Sequence, residues 1–427
     1  MTAPLPARAS LPGRSPLRVL LQRPFGVFFI GSALSSIGTW FQNIAAGLLV
    51  YSLTGSTLLV GVVSFSQFVG SLVLAPWAGG AADRYDRRRL LLVSQSGAAT
   101  IALLLAAVTL AGWVTAPIVV VAALLLGFTL AFMVPALQSL VPLLVDDEDL
   151  DVAISLNSMS FNLARAVGPV LGAVVVESAG HGVVFGLNAG SFLAFVVVLL
   201  VIRPRPQRRQ TGPRPKLREA YRLVRDHQVW WGLMLATAAV SWTTEPINTL
   251  SPELAIDVFG GRELDAGLLV GAFGAGATLT ALTISGWLRR QRHALVVAML
   301  VQGGGMVMVG LAPTLTIGLI GMAISGVGFL GAITRSTARL QGEVPDTHRG
   351  RVMALWSVAF IGTRPLASLV GGSVAEVAGA PLATIVLALP VLLLVPWLHR
   401  RLARARQWEP SDGVPPRGDT PASGSAR

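Results

Sequence analysis

The sequence predicts an all-α membrane protein in which twelve helices form two parallel repeats of six. Three observations predict this fold class. Apolar runs long enough to cross roughly 30 Å of hydrocarbon as helices recur along the whole chain. Of the 33 lysines and arginines, 28 fall in six polar stretches that share one face when the runs are laid back and forth. The second half of the chain also repeats short patterns of the first, in the same order.

The apolar runs define the spans and the basic stretches define their orientation. Because basic loops resist translocation, both termini are expected in the cytoplasm, with the protein in the cell (inner) membrane. The first run is too long for the apolar region of a signal peptide. The predicted spans are 24–51, 56–81, 90–112, 116–144, 152–178, 182–202, 228–256, 264–288, 293–312, 314–340, 351–377 and 381–399.

The amino-acid composition argues against several classes of function. Hydrophobic residues make up 53% of the chain and charged residues 13%, which is far more apolar than an average soluble domain. The net charge of +12 lies beside the spans, so we expect anionic membrane lipids and no nucleic acid as partners. Cysteine is absent, the five histidines lack metal-ligand spacing, and no Walker loop or catalytic triad occurs. We therefore expect no metal, no cofactor, no enzymatic activity and no ATP-driven transport.

The polar segments divide the chain. We predict a cytoplasmic tail at 1–23, a six-helix bundle at 24–202, a basic linker at 203–226, a second bundle at 227–399 and a disordered cytoplasmic tail at 400–427. The linker is expected to close with a short interfacial helix. The acidic stretch from Asp146 to Asp151 is expected to be a solvated loop and helix start, or else a bridge to the linker.

Short sequence patterns of the first half recur in the second half across several helices. Each half begins on the same side because six is an even number, so the repeats are parallel and related by an axis along the membrane normal. The matched patterns are Gln138–Pro142 with Gln341–Pro345, Arg165 with Arg364, Glu177 with Glu376, and Trp40–Asn43 with Trp242–Glu245.

A glycine- and arginine-rich stretch separates spans 2 and 3. A glycine four residues before Asp83 lets two helix ends approach closely, and Asp83 can accept hydrogen bonds from arginines or from a helix N-terminus. The stretch resembles the loop 2–3 signature of the major facilitator superfamily, although Ala81 and Asp86 depart from it. The resemblance implies that this loop stabilises the closed cytoplasmic side while the cavity faces outward. The matching residues are Gly79, Asp83, Arg84, Arg87 and Arg88.

Span 5 carries a second motif, formed by Arg165, Gly168, Pro169 and Gly172. The two glycines share one helix face and permit a tight crossing, and the proline can kink the span between them. The stretch is similar to the antiporter motif of drug:proton exporters in the superfamily, in the group of macrolide-efflux and enterobactin-exporter proteins. That resemblance implies export; helix packing alone is the alternative.

Three ionisable residues lie deep in the predicted spans: Arg165, Glu245 and Arg364. Each costs about 2.5–3.5 kcal/mol to insert, so each is a candidate for function. We predict that Glu245 is a proton-coupling or cation-recognition site; the alternative is a carboxylate paired with an arginine that locks helices together. The equivalent positions of Arg165 and Arg364 favour a shared structural role, hydrogen bonding to carbonyls or to Glu245, with anionic-substrate binding as the alternative.

Spans 1, 4, 7 and 10 line the central cavity in the superfamily, and their side chains are the candidates for substrate contact. An aromatic and methionine lining with few polar groups suits bulky, partly hydrophobic cargo, whereas packing against lipid or other helices is the alternative. The candidates are Trp40, Gln42, Asn43, Phe132, Met133, Trp242, Thr244, Asn248 and Arg335.

The resemblance implies a secondary active transporter that exports a drug, a macrolide-like compound or a siderophore. The implied mechanism is proton-coupled alternating access by a monomer, with the small molecule and protons as its partners. An importer of a metabolite shares the fold, and a non-transporting receptor or scaffold is the alternative of a different class.

Overall fold

The computed structural model describes residues 15–206, 217–284 and 293–407, and these residues contain helices and no strand. The predictions for 1–14, 207–216, 285–292 and 408–427 lie outside the described residues. Spans are numbered in chain order. Spans 1 to 6 are the helices Arg23–Thr54, Thr57–Arg84, Arg87–Leu110, Ala116–Leu140, Leu150–Ala179 and His181–Val201.

The second half is less regular. Span 7 consists of Gln228–Trp242, Pro246–Thr249, Ser251–Glu253 and a π-helical turn at Leu254–Val258. Span 8 is Glu263–Leu279 and continues as a π-helical turn at Thr280–Ile284. Spans 9 and 10 are Ala294–Gly310 and Leu315–Glu343. Span 11 begins as Asp346–Gly362, and the helix Arg364–Gln407 holds its remainder and all of span 12.

The twelve-span, all-α prediction is confirmed. Nine helices in the described part of the chain are long and apolar enough to cross a membrane. One of them, His348–Arg401, contains both span 11 and span 12, which are separated by the non-helical Gly379 at φ 83°. The 17-residue span 9 and the broken span 7 complete the set.

Two predicted spans, 7 and 11, are broken in the structure instead of being continuous helices. In span 7, the N–H groups of Thr244 and Glu245 bond the carbonyls of Ser241 and Trp242, three residues back, at 3.2 and 3.1 Å. The next residue, Pro246, has no N–H with which to continue the helix. Span 11 is interrupted at Thr363, two residues before Pro365, because the proline has no N–H with which to continue the helical hydrogen bonding.

The predicted boundaries of the two terminal tails also need correction. The tail predicted at 1–23 contains a helix, Pro16–Leu21, and span 12 runs past residue 399 to Gln407. The acidic stretch is not fully solvated, since Asp149 is buried and accepts a hydrogen bond from Gln22 at 2.7 Å. Its predicted bridge to the linker is present, because Arg205 pairs with Asp146.

The two halves meet along two crossings, span 5 with span 8 and span 2 with span 11. Both depend on small residues. A Cβ added to Gly274 of span 8 would lie 2.8 Å from the backbone nitrogen of Ala166, and one on Gly372 of span 11 would lie 2.9 Å from the Cα of Leu58. These approaches leave no room for a side chain, so the glycines set how closely the halves pack.

Candidate transport site between the halves

The break in span 7 places Glu245 in the protein interior, where it is 0% exposed. One carboxylate oxygen accepts a hydrogen bond from the hydroxyl of Thr249 at 3.4 Å. The other, Oε2, has no hydrogen-bond partner among the described residues. A buried carboxyl group with a free oxygen retains the capacity to take up a proton or to accept a donor.

The same break frees backbone groups, which polar side chains then satisfy. The carbonyl of Val240 accepts hydrogen bonds from the hydroxyl of Thr244 at 2.8 Å and from the amide of Gln302 in span 9 at 2.9 Å. Buried carbonyls need hydrogen-bond partners, so Gln302 stabilises the unwound segment of span 7. Sequence reasoning did not identify Gln302.

Arg364 lies at the break in span 11 and reaches the break in span 7. Its Nε donates to the hydroxyl of Ser241 at 3.1 Å, and that hydroxyl donates to the carbonyl of Phe360. The guanidinium lies 4.9 Å from the ring centroid of Phe360 and 5.3 Å from that of Phe68 in span 2. Arg364 therefore joins both broken helices to the first half of the protein.

Arg165 occupies the equivalent place in span 5. It is 5% exposed, and its guanidinium lies 4.7 Å from the ring centroid of Phe273, 4.8 Å from that of Phe329 and 5.3 Å from that of Trp40. Its buried Nε has no hydrogen-bond partner among the described residues. Aromatic faces attract the charge of a guanidinium but do not replace a hydrogen-bond acceptor.

Arg165, Glu245 and Arg364 thus form one interior layer, but they do not bond one another as predicted. Glu245 accepts its side-chain hydrogen bond from Thr249. Within the described residues no ion pair joins it to either arginine, and Arg364 donates to a hydroxyl instead of to Glu245 or a backbone carbonyl. The three groups interact at a distance through a low-dielectric interior.

The repeat extends to aromatic residues that sequence reasoning missed. Phe68 and Phe273 stand 205 residues apart, and each lies under the arginine of the opposite half. Phe161 and Phe360 stand 199 residues apart, the same offset as the two arginines. Aligning the halves around those arginines identifies Phe161 and Phe360, whereas the pair in spans 2 and 8 requires the larger offset of 205.

Four of the predicted substrate contacts lie around this layer. Trp40 contacts Arg165, and Thr244 is buried beside Glu245. The backbone N–H of Asn248 donates to the carbonyl of Glu245 at 3.0 Å, and the buried indole nitrogen of Trp242 has no partner among the described residues. Phe132 and Arg335 are partly buried in the later halves of spans 4 and 10.

Three other candidates face the interior of the first bundle instead. Gln42 accepts a hydrogen bond from Asn188 at 2.6 Å, Asn43 accepts one from Gln67 at 3.2 Å, and the sulfur of Met133 accepts one from Gln95 at 3.0 Å. All three line a cavity of about 10 Å³, which suits about one water molecule and no cargo. The arrangement ties spans 1, 2, 3, 4 and 6 together.

The antiporter-like motif packs span 5 against its neighbours. A Cβ on Gly168 would lie 2.7 Å from the Cβ of Trp40, and one on Gly172 would lie 2.9 Å from the carbonyl oxygen of Phe41. Pro169 is buried, and its carbonyl oxygen lies 2.7 Å from the position of a Cβ on Gly267 in span 8. The motif therefore permits span 5 to contact span 1 and span 8 at once.

The loop 2–3 residues bond within the first half. Arg87 donates to the carbonyl of Ser139 at 2.8 Å, and Arg88 donates to the carbonyls of Leu199 and Leu200. These carbonyls lie at the C-terminal ends of spans 4 and 6, where cations are favourable. Arg84 is exposed, and the surroundings of Gly79 and of the Asp83 side chain lie outside what the structure describes.

The bundle has two chemically different ends. The basic end carries Arg84 to Arg89, the linker helix Leu217–Asp226 and the C-terminal part of span 12. The opposite, acidic end is closed by bonds between the halves. These bonds join Tyr51 to Asp257, Thr57 to Glu253 at 2.5 Å, Ser56 to Glu376 at 2.9 Å and Arg262 to Glu177 at 2.5 Å. His181 lies 3.5 Å from Glu263 at the same end.

Comparison with known proteins agrees with this architecture. Residues 14–419 match the family described as transmembrane secretion effectors, within the major facilitator superfamily. The enterobactin exporter EntS of Citrobacter koseri is 28% identical over 408 residues, covering 92% of this chain and 95% of that one. The staphyloferrin A transporter of Staphylococcus aureus is 25% identical, covering 82% and 89%.

Solved structures share the fold. A bacterial homolog of the human lysosomal transporter Spinster, in an inward-facing and occupied conformation, superposes with a TM-score of 0.74 at 13% identity, covering 93% of this chain and 100% of that one. The nucleoside transporter NupG gives 0.70 at 14% identity, covering 90% and 99%. The chain therefore belongs to the transmembrane secretion effector family of the major facilitator superfamily, a family of multi-pass membrane transporters.

Proposed function

We propose that this chain exports a siderophore-like small molecule across the cell inner membrane, with both termini in the cytoplasm. The names of the relatives support the cargo class and the direction. The confinement of 28 of the 33 basic residues to one face supports the orientation. We further propose that it acts as a monomer among anionic lipids, without enzymatic activity, metal or cofactor.

The proposed mechanism is alternating access by two rocking halves. The bonds that close the acidic end support a state in which the interior layer is reached from the basic, cytoplasmic end. In the opposite state, Asp83, Arg84 and Arg87 would stabilise the closed cytoplasmic side. Gly168, Pro169 and Gly172 would keep the span 5 packing intact through the change.

Proton exchange at Glu245 is the proposed source of energy, in an antiport of protons for cargo. The observation that carries it is the burial of Glu245 at a helix break, with one carboxylate oxygen free. Broken helices at the middle of the membrane are where secondary transporters place their coupling ions. Trp242, Thr244 and Asn248 would contact the cargo beside this group.

The test is export of enterobactin and of staphyloferrin A by inverted membrane vesicles, with and without an imposed pH gradient. Glu245→Gln should abolish the gradient-dependent uptake into these vesicles while expression stays normal. Asp147→Asn, at an exposed position of the short 3-10 helix Asp147–Asp149 at the basic end, is the matched control and should behave like the native protein. Gradient-driven transport that survives in Glu245→Gln would refute the coupling role, and cargo movement only towards the cytoplasm would refute export.

A further inference from the structure

We infer that Arg165 binds an anionic aromatic group of the cargo. This inference rests on the proposed transport function and names the chemical class that the interior layer selects. The layer holds two guanidinium groups, Arg165 and Arg364, and one carboxyl group, Glu245. Arginine keeps its charge in proteins, so the layer contains one more positive charge than Glu245 can balance.

The two arginines are not equally compensated. Arg364 donates a hydrogen bond to the hydroxyl of Ser241 at 3.1 Å. Arg165 is instead surrounded by aromatic rings. Its Nε is buried without a hydrogen-bond partner among the described residues. Buried charges are normally paired and hydrogen-bonded, and within the described residues neither arginine forms an ion pair. Of the two, only Arg364 donates a side-chain hydrogen bond to a described residue, so Arg165 is the guanidinium that can still take an anionic partner.

The surroundings of Arg165 suit a flat ligand. Its guanidinium is bordered by the rings of Trp40, Phe273 and Phe329, which come from three different spans. A carboxylate or phenolate could receive the planar donors of the guanidinium, whose fork matches two oxygens. The aryl part of the same ligand could then stack against the neighbouring rings.

The path by which a ligand would reach Arg165 is also lined by an aromatic side chain. Phe161 lies one turn nearer the basic end of span 5, is 53% exposed and packs edge-on against Trp40 with the ring centroids 6.2 Å apart. Residues four apart share one helix face, so Phe161 and Arg165 line the same path. Bonds between the halves close the acidic end, and a ligand would therefore pass Phe161 before it reached Arg165.

The test uses the full-length protein in detergent and three matched probes. The probes are 2-naphthoate, which is aromatic and anionic, 2-naphthamide, which is aromatic and neutral, and decalin-2-carboxylate, which is anionic and not aromatic. Isothermal titration calorimetry should give an affinity for 2-naphthoate at least tenfold above that for either of the others. Equal affinities for 2-naphthoate and 2-naphthamide would overturn the inference.

Substitutions then assign the effect to Arg165. Arg165→Gln should lower the 2-naphthoate affinity at least tenfold and leave 2-naphthamide unchanged, and Arg165→Lys should lose less because the charge remains. Arg89→Gln removes an exposed arginine at the basic end and should change neither affinity. If Arg165→Gln does not fold, Phe161→Leu provides the second variant: it should reduce the preference for 2-naphthoate over decalin-2-carboxylate. An unchanged preference there would count against the aromatic path.

The inference and the proposed function can fail separately. If gradient-driven export persists in vesicles while the purified protein shows no preference for the anion, the site assignment is wrong and the transport function stands. If the preference for the anion is present but neither siderophore is moved, the export proposal is wrong. Glu245→Gln should lose gradient-driven export and keep the preference for 2-naphthoate over 2-naphthamide, which separates the coupling group from the anion-binding group.

Discussion

The guanidinium of Arg165 lies 4.7 Å from the ring centroid of Phe273, and this contact joins span 5 of the first half to span 8 of the second. The repeat produces its counterpart, in which Arg364 of span 11 lies 5.3 Å from the ring centroid of Phe68 in span 2. Each half therefore places one charged side chain against a repeat-related ring of the other. The two contacts follow the two crossings at which glycines bring the halves together.

The first prediction concerns these stacked rings. Phe273→Leu should lower the thermal stability of the purified protein by more than burial alone accounts for, because a desolvated cation–π contact contributes roughly 0.5–2 kcal/mol. Phe185→Leu is the matched control, since Phe185 is equally buried but packs in an apolar cluster. The excess loss should vanish when Phe273→Leu is combined with Arg165→Gln. Equal losses of thermal stability in the two single variants would show that the cation–π contact does not contribute to stability.

The two ionisable arginines illustrate what the sequence could reveal. Arg165 and Arg364 lie in equivalent spans at the same spacing from Glu177 and Glu376, so their shared depth followed from the repeat alone. Glu245 could be identified because few other carboxyl groups lie within an apolar run. Their partners could not be identified, because a guanidinium can bond a carbonyl, a carboxylate or a ring at the same depth.

The helix breaks show where sequence reasoning reached its limit. Pro135 and Pro169 lie inside continuous helices, whereas Pro246 and Pro365 lie at breaks. Neighbouring helices decide which outcome a proline has, since they can satisfy the freed carbonyl, as Gln302 does for Val240.

The candidate triplet in span 1 failed for a simpler reason. Successive helical residues point about 100° apart, so Trp40 and Gln42 cannot both face the other half.

The second prediction tests the antiporter-like motif as a packing element. Gly172→Ala should destabilise the protein by about 1–3 kcal/mol, because a Cβ there would lie 2.9 Å from the carbonyl oxygen of Phe41 and force spans 1 and 5 apart. Thermal unfolding in detergent measures the change. Gly190→Ala in span 6 is the control, since nothing lies within 4 Å of its added Cβ. A Gly172→Ala protein as stable as the control would contradict the proposed close crossing.

The third prediction concerns the support of the span 7 break. Gln302→Leu should cost about 1–3 kcal/mol, since it removes one of two donors from the buried carbonyl of Val240. Gln302→Glu should cost more, because it adds a second buried carboxyl group near Glu245. Gln138→Leu, at an exposed position in span 4, should be close to neutral. Unfolding temperatures that rank the three variants differently would refute the supporting role of Gln302.

The final prediction rests on a pair of equivalent glutamates at the acidic end. Glu376 bonds Ser56, which precedes span 2, and Glu177 bonds Arg262, which precedes span 8. Each therefore holds the N-terminal end of the equivalent helix in the opposite half. Because the two bonds are related by the repeat, losing either one should open the acidic end in the same direction.

The chain has no cysteine, so a single cysteine introduced at the buried Ser368 reports opening directly. Glu376→Ala and Glu177→Ala should each speed its reaction with a membrane-impermeant maleimide applied at the acidic end, by roughly two- to tenfold if each bond is worth about 0.5–1.5 kcal/mol. Ser178→Ala is the control, since that hydroxyl bonds carbonyls of its own helix. The two glutamate variants should also be additive, because their bonds lie in different crossings. Labelling that stays at the control rate in both would mean that other contacts keep this end shut.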